Sequence, residues 1–219
     1  PISNQVAFVF SEPMDSASLA LCAISFDQNL GAYTRTALHY LQIQNGAQLI
    51  LQFEQTIPKS VPIVVTIVDS KDCWANASNL QTSFIRCEEP KMNDLLINEI
   101  LFDPPSTGSD FIELYNNSNK YLSLANCSIG NGSMNYLLQK SVIGPKQYLA
   151  LSPDTAFLWS YYPCTQLTQI TTQELPYFYN DSGTCILNCN DSVLDELKYH
   201  KDWHATGLLD SEGVSLERL

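Results

Sequence analysis

Alternation of apolar and polar positions, rather than a helical repeat, dominates the first 87 residues. Short apolar runs rich in Val, Ile and Phe lie at 6–10, 49–53, 61–68 and 80–85, and such runs are typical of buried strands. Asn45-Gly46 lies between two runs and predicts a hairpin, because both residues tolerate a positive φ. We therefore predict one sandwich of about seven short strands over this half.

A second set of strands begins after a short charged stretch. Residues 88–91 (EEPK) interrupt the alternation with charge and a proline, as short linkers do. One helical turn is predicted at 154–161, behind Pro153, because Phe157, Leu158 and Tyr161 recur at helical spacing. We expect an all-β chain of two domains, residues 1–90 and 91–219. The strands predicted in the second domain are 95–102, 111–115, 136–138, 148–151, 184–188 and 193–199.

The chain is acidic, which narrows the partners to expect. Its 219 residues carry 11 Lys and Arg against 23 Asp and Glu, a formal charge of −12. This charge opposes binding to nucleic-acid phosphates and to anionic membranes. The longest apolar run, 61–68, is far shorter than the roughly 20 residues that cross a bilayer, so no membrane insertion is expected. Apolar residues make up 45% of the chain and favour a packed fold over disorder.

Seven cysteines bear on the compartment in which the protein works. None forms the C-x2-C spacing of zinc ribbons or redox dithiols. We expect an oxidising compartment in which some of them pair, with free buried thiols as the alternative. The connectivity stays open; Cys73 with Cys87 is the pair we favour, because both flank the end of the first half. The odd count leaves at least one thiol unpaired. The cysteines are Cys22, Cys73, Cys87, Cys127, Cys164, Cys185 and Cys189.

Two motifs in the first half carry a family resemblance. Residues 6–15 (VAFVFSEPMD) and 65–76 (VTIVDSKDCWAN) resemble the opening strand and the closing turn of the Ig-like modules of bacterial surface proteins. The resemblance covers residues ~1–88, and Ala75 stands where that turn usually has glycine. It implies an Ig-like sandwich whose first strand precedes Pro1.

Three motifs follow one another through the second half. They are 96–105 (LINEILFDPP) with 109–116 (SDFIELYN), then 144–151 (GPKQYLAL), and finally Trp203-His204 with 208–218 (LLDSEGVSLER). Together they resemble a bacterial lamin-tail domain over residues ~93–219. The resemblance implies a second Ig-like sandwich, so that the fold expected is two tandem Ig-like β-sandwiches. It also implies an interaction module without catalytic residues, excised from a longer array.

No arrangement of residues points to catalysis. Only His39, His200 and His204 could serve a hydrolytic triad, and no G-x-S-x-G elbow is present. His200 and His204 have the H-x3-H spacing of helical zinc sites, but the resemblance places them in a loop after a strand, which favours loop packing. We therefore expect no catalytic residue, no enzyme activity and no cofactor.

Carboxylates are the candidates for a weak Ca²⁺ site. Asp103, Asp110 and Glu113 flank one loop, and extracellular modules bind Ca²⁺ through several oxygen ligands. Solvated acidic loops are the alternative. Glu113 also lies among apolar residues, as Arg218 does, and we predict a structural ion pair between these two that ties the opening strand to the closing one. A buried pair would cost about 3–5 kcal/mol to break, and the alternative surface pair under about 1 kcal/mol.

Aromatic residues crowd into the stretch 159–179. Tyr and Trp side chains can stack on sugars or form the centre of a protein interface, although core packing is the alternative. The long polar insert between Ser160 and Pro176 also favours a binding role for this stretch, because long loops in compact domains are often functional. The candidate binding residues are Trp159, Tyr161, Tyr162, Tyr177 and Tyr179.

Two functions follow from these features. The first is a non-enzymatic structural and interaction module of a secreted or cell-surface bacterial multidomain protein, located outside the cell and binding protein or glycan there. The second is a carbohydrate- or protein-binding module that targets an attached extracellular enzyme through the 159–179 aromatics. An independent hydrolase has the least support.

Overall fold

The computed structural model describes residues 4–41, 46–162, 169–208 and 210–218. The chain divides into two compact units, Pro1–Arg86 and Cys87–Leu219. Strands make up most of the regular structure in both units, so the prediction of an all-β, Ig-like fold is confirmed. Within the described ranges, no helix is both long and apolar enough to cross a bilayer.

The N-terminal unit consists of two three-stranded antiparallel sheets. One has the strand order β1-β4-β3, and the other has the order β2-β5-β6. A six-residue helix, α1, connects the two sheets between β1 and β2. The elements are β1 (Gln5–Val9), α1 (Ser16–Leu21), β2 (Ala23–Phe26), β3 (Tyr33–Leu41), β4 (Gly46–Phe53), β5 (Pro62–Lys71) and β6 (Ala77–Ile85).

The core of this unit follows from the alternation in its central strands. Ile63, Val65 and Ile67 of β5 are buried while their neighbours are partly exposed, because successive side chains of a strand point to opposite faces. Leu51 and Phe53 of β4, in the other sheet, pack in one apolar cluster with Ile63. Strands β3 and β4 pair antiparallel, and the Asn45-Gly46 turn predicted between them begins outside the described residues.

Helix α1 is held by contacts at both of its ends. The carboxylate of Asp15 accepts the backbone N–H groups of Ala17 and Ser18, which caps the N-terminus. The guanidinium of Arg35 donates to the carbonyls of Leu19, Ala20 and Cys22 at the other end, where a cation also complements the helix dipole. Leu19 is fully buried and anchors the helix in the core.

The turn between β5 and β6 is organised by Asp72. Its carboxylate accepts the backbone N–H groups of Trp74 and Asn76 and the side-chain amide of Asn76, and this last bond is the main reason why the pKa of Asp72 lies below its usual value. Ala75 takes up a left-handed conformation in this turn, with φ of 66°. A Cβ atom is disfavoured there, which explains why glycine is the common residue in such turns.

Replacing Ala75 by Gly is expected to stabilise the N-terminal unit by about 0.5–1 kcal/mol, because it relieves the left-handed strain of a residue that carries a Cβ. Thermal unfolding followed by circular dichroism measures the change. Ala77→Gly, on the adjoining strand β6, is the matched control and should lower the stability instead. Equal destabilisation by both variants would contradict the strain at Ala75.

The C-terminal unit is built from two main sheets and a two-stranded one. One main sheet has the order β11-β10-β15-β16, the other has the order β14-β13-β8-β7-β17, and β12 pairs with β9. Among the strand pairs of the described residues, β13 with β14 is parallel and the others are antiparallel. The strands are β7 (Leu95–Leu101), β8 (Phe111–Asn116), β9 (Leu122–Ser123), β10 (Cys127–Gly130), β11 (Asn135–Leu137), β12 (Val142–Ile143), β13 (Tyr148–Ser152), β14 (Ile170–Thr172), β15 (Ser182–Cys189), β16 (Ser192–His200) and β17 (Leu216–Glu217).

The five-stranded sheet buries apolar residues on both of its faces. Its inner face packs on the four-stranded sheet through residues such as Ile97, Leu114 and Leu149, which share one core with Ile129 and Leu187. Its outer face is partly covered by α2 (Thr155–Tyr161), the helix predicted at 154–161. Contacts at its N-terminus and on its buried side hold this helix in place. Asp154 caps its N-terminus, and its Phe157 and Leu158 pack on Leu101, Phe111 and Ala150 of the sheet.

Candidate functional site

Two exposed tyrosines project from an extended segment that precedes β15. Phe178 is 1% exposed, in the core, with its ring edge on Tyr199 at 6.2 Å between centroids. Because side chains alternate along an extended chain, its neighbours Tyr177 and Tyr179 point outwards. They are 61% and 62% exposed, and their rings meet edge to face at 5.2 Å. The burial of Phe178 therefore fixes the positions of Tyr177 and Tyr179 at the surface.

Hydrogen bonds hold the backbone of this tyrosine segment from both sides. The side-chain amide of Asn131 donates to the carbonyl of Tyr177 at 3.0 Å, and the hydroxyl of Tyr199 donates to the carbonyl of Tyr179 at 3.1 Å. The side chain of Asn180 donates to the carboxylate of Asp103. With its main chain fixed in this way, the segment presents the two rings with little loss of conformational entropy on binding.

Asp110 lies beneath the same segment. Its carboxylate accepts the backbone N–H of Phe178, but burial dominates and raises the pKa of Asp110 to about 7, with the nearby carboxylate of Asp103 adding to the rise. The folded state thus binds the Asp110 proton more tightly than the unfolded chain does. The stability that follows is fully present below about pH 4 and is lost as the pH rises through about 7.

Replacing Asp110 by Asn is expected to stabilise the C-terminal unit at about pH 8 by about 1–2 kcal/mol, a figure discounted for partial exposure. The Asn Oδ1 can still accept the Phe178 N–H, and no buried charge remains. Near pH 4 the variant should match the parent, so the difference between the two in urea unfolding should grow with pH. Asp191→Asn, in the turn after β15, is the control. A gain for Asp110→Asn that does not depend on pH would contradict burial of the Asp110 charge as its cause.

The helix α2 carries the other predicted aromatics. Tyr162 follows it directly; its hydroxyl donates to the carbonyl of Gly213 at 2.6 Å, and burial raises its pKa to about 12. Tyr161 packs against Tyr162 at 5.0 Å and is about half exposed, while Trp159 is 56% exposed. Among the described residues, no ring contact joins this group to Tyr177 and Tyr179. The five predicted residues therefore form two separate groups.

The predicted ion pair between Glu113 and Arg218 is wrong. Arg218 instead binds Asp195 of β16 through Nη1 and Nη2 of its guanidinium, at 2.9 and 3.2 Å. Asp195 also accepts the backbone N–H of Ile97 at 2.8 Å, so that it joins β7, β16 and the closing segment. Glu113 takes an uncharged partner, the side-chain amide of Asn98 at 2.9 Å. The closing segment is tied to the opening strand, but through a carboxylate that lies between them.

The three Ca²⁺ candidates lie in different surroundings. Asp103 and Asp110 are close enough for their charges to interact, whereas Glu113 lies on the outer face of β8 beside Glu99. In the part of the chain that the structure describes, no group of three His, Cys, Asp or Glu residues has a geometry that could hold a metal ion. His200 and His204 have separate roles: His200 caps the short 3₁₀ turn Lys201–Trp203, and His204 contacts the backbone carbonyls of Lys201 and Val214.

One disulfide is present among the described cysteines, and it differs from the predicted pair. Cys127 of β10 is bonded to Cys189 of β15, its direct partner across the two strands, while Cys73 has an exposed free thiol. The predicted Cys73–Cys87 pair is therefore wrong. Cys185 is a buried free thiol on the same strand as Cys189, and burial raises its pKa. Cys164 lies outside the described residues.

The C-terminal unit carries the sequence pattern of a known family. A family model described as Lamin Tail Domain matches residues 88–201, just over half of the chain. The chain belongs to the lamin tail domain family. The match confirms the lamin-tail resemblance, and the family is one of Ig-like interaction modules rather than catalysts. Comparisons with curated proteins and with solved structures give no match.

The lamin tail domain match includes most of the site residues. It spans the disulfide, α2, Asp110 and the tyrosine segment, and it ends at Lys201. His204 and strand β17 lie beyond it, although β17 pairs with β7 in the same sheet. In the sequence, the pattern Tyr177-Phe178-Tyr179 signals an inward ring between two outward ones, whereas no sequence signal marks Asp195 as the partner of Arg218.

Proposed function

We propose that this chain is a non-enzymatic structural and interaction module of a secreted or cell-surface bacterial multidomain protein. The observation that carries the proposal is its membership of the lamin tail domain family, whose members are Ig-like interaction modules. Its partners would be proteins or glycans at the cell surface. The N-terminal unit, with its sandwich of two three-stranded sheets, would be a bacterial Ig-like spacer.

Two features support the location and the partners of this proposal. A disulfide such as Cys127–Cys189 persists in oxidising compartments and is rare in the reducing cytosol, which favours an exported protein. The formal charge of −12 disfavours nucleic acid as a partner, because phosphate binding depends on clustered cations.

The proposal is tested by binding the purified chain to intact bacterial envelopes and to duplex DNA at physiological salt. We expect saturable binding to envelopes and none to DNA. A second measurement compares chain exported to the periplasm with chain kept in the cytosol, and counts the thiols by mass spectrometry after alkylation. Binding to DNA alone, or a Cys127–Cys189 bond that is absent after export, would contradict the proposal.

A second candidate function is a binding module for carbohydrate or protein. The observation that favours it is the fixed presentation of Tyr177 and Tyr179, two rings that are mostly exposed on a backbone held by Asn131 and Tyr199. Exposed aromatic faces of this kind stack on sugar rings or fill pockets of a partner protein.

Glycan arrays and envelope binding with single variants test this candidate. Tyr177→Ala and Trp159→Ala remove one exposed ring from each of the two aromatic groups, and Tyr148→Ala removes an exposed ring of β13 as a control. We expect at least about a tenfold loss of affinity for Tyr177→Ala and little change for the control. A loss confined to Trp159→Ala would assign the surface to α2, and no loss in either variant would exclude both groups.

A further inference from the structure

The C-terminal strand of the second unit is unusually short for an element that completes a sheet. β17 has two residues, and it covers the edge of β7 through the pairs Leu216↔Ile100 and Glu217↔Glu99. The backbone N–H of Arg218 adds one bond to the carbonyl of Asn98 at 2.8 Å. Because so few backbone bonds give little stability by themselves, the side chains around β17 decide how firmly it is held.

Three glutamates stand side by side across the strands at this edge. Glu217 of β17 is paired with Glu99 of β7, which is paired with Glu113 of β8, so all three point to the outer face of the sheet. Like charges directly opposite each other on neighbouring strands are destabilising. The donors to these carboxylates are the hydroxyl of Ser215 and the amide of Asn98, which bring no positive charge. We call these three residues the glutamate row.

The surroundings of Glu99 and Glu113 raise the pKa of these two members of the row. Burial raises the pKa of Glu99, and the charge of Glu217 raises it further. Burial also raises the pKa of Glu113 to about 6, with added contributions from Glu99 and Glu217. Two tyrosines also lie within electrostatic reach of the row: the charges of Glu113 and Glu217 act on Tyr148 of β13, and the charge of Glu99 acts on Tyr162 after α2.

His204 adds a contact to the residues before β17. Its Nδ1 lies 2.8 Å from the carbonyl of Lys201, and its Nε2 lies 2.9 Å from the carbonyl of Val214, two residues before β17. The charged neighbours on its own turn are Lys201 and Asp202, and the Asp202 carboxylate is directed to His200 at 3.4 Å. On the other side, the ring faces the apolar Phe102.

We infer that the closing segment 210–218 is a pH-controlled latch, which closes onto β7 under mildly acidic conditions and loosens when Glu99 and Glu113 of the glutamate row lose their protons. Deprotonation of these two residues restores the repulsion between β17, β7 and β8. The ion pair between Arg218 and Asp195 keeps the end of the segment attached in both states. Loosening β17 uncovers the backbone edge of β7.

Hydrogen exchange of the full chain, read by mass spectrometry, tests the latch. Protection of the amides in 214–218 is measured at about pH 5.5 and about pH 8, and is corrected for intrinsic exchange rates. We expect the protection to fall about tenfold at the higher pH, while the amides of β15 in the core keep theirs. Equal protection of 214–218 at both pH values would overturn the inference.

Variants test the part that the glutamate row plays in the latch. Glu99→Gln combined with Glu217→Gln removes the repulsion and should give, at about pH 8, the protection that the parent shows at about pH 5.5. Glu212→Gln, an exposed residue of the same segment, is the matched control and should behave as the parent. A double glutamine variant as pH-dependent as the parent would overturn the inference.

Discussion

Replacing Asn116 by Asp is expected to destabilise the C-terminal unit by about 4 kcal/mol or more near pH 7. Asn116 is 0% exposed at the end of β8, and its amide nitrogen donates to the carbonyls of Lys120, Ile143 and Gly144 at 2.7–3.1 Å. A carboxylate of the same shape would face three acceptors with a buried negative charge. Urea unfolding monitored by tryptophan fluorescence and circular dichroism measures the loss.

The neighbouring residue supplies the control for this prediction. Asn117→Asp introduces the same charge at an exposed position, and we expect it to change the stability by less than about 0.5 kcal/mol. The loss in Asn116→Asp should shrink as the pH falls towards 4, because a protonated carboxyl can donate to one of the carbonyls. Equal effects of the two variants would show that the three contacts of Asn116 contribute little.

Removing the Cys127–Cys189 bond is expected to have the second large effect. The bond closes a loop with a sequence separation of 62 residues. Closing a loop of that length lowers the entropy of the unfolded chain and so stabilises the folded state by about 4 kcal/mol. Removing a native disulfide commonly lowers the free energy of unfolding by about 2–5 kcal/mol. The double variant Cys127→Ala/Cys189→Ala should therefore unfold about 10 °C lower than the parent.

A reducing agent provides the independent measurement of the same bond. The parent in excess dithiothreitol should unfold close to the temperature of the double variant, and the variant itself should not respond. Cys73→Ala, which removes an exposed free thiol, is the control and should leave the unfolding temperature unchanged. A parent that unfolds at one temperature with and without reductant would contradict the expected contribution of the bond.

Sequence patterns predict most of the long strands and miss several of the short elements, for physical reasons. Runs such as 61–68 and 193–199 are long enough to stand out between turn residues, and both correspond to strands. Strand β10 has only four residues, all buried, so no alternation reveals it. Helix α1 has six residues, and one of its caps comes from Arg35, which lies well outside any local window.

The site residues show the same division between local and long-range information. Tyr177-Phe178-Tyr179 displays its inward and outward positions in three consecutive residues, and the structure presents Tyr177 and Tyr179 at the surface. The partner of Arg218 depends on which strands are neighbours: Asp195 comes beside it only because β16 packs against β7. The pairing of Cys127 with Cys189 likewise depends on the register of β10 against β15, and no sequence pattern predicts β10.

The cross-strand cysteine bond also sets how this unit would respond to mechanical force. If tension is applied at the two chain ends, the covalent path runs from Cys127 through the sulfurs to Cys189 and bypasses the intervening residues. The bypassed stretch would otherwise add about 210 Å of contour length when pulled straight. Pulling can therefore extend only the residues outside 127–189. A reductant would free the residues between the two cysteines, and their extension would appear as an extra step in a force–extension trace.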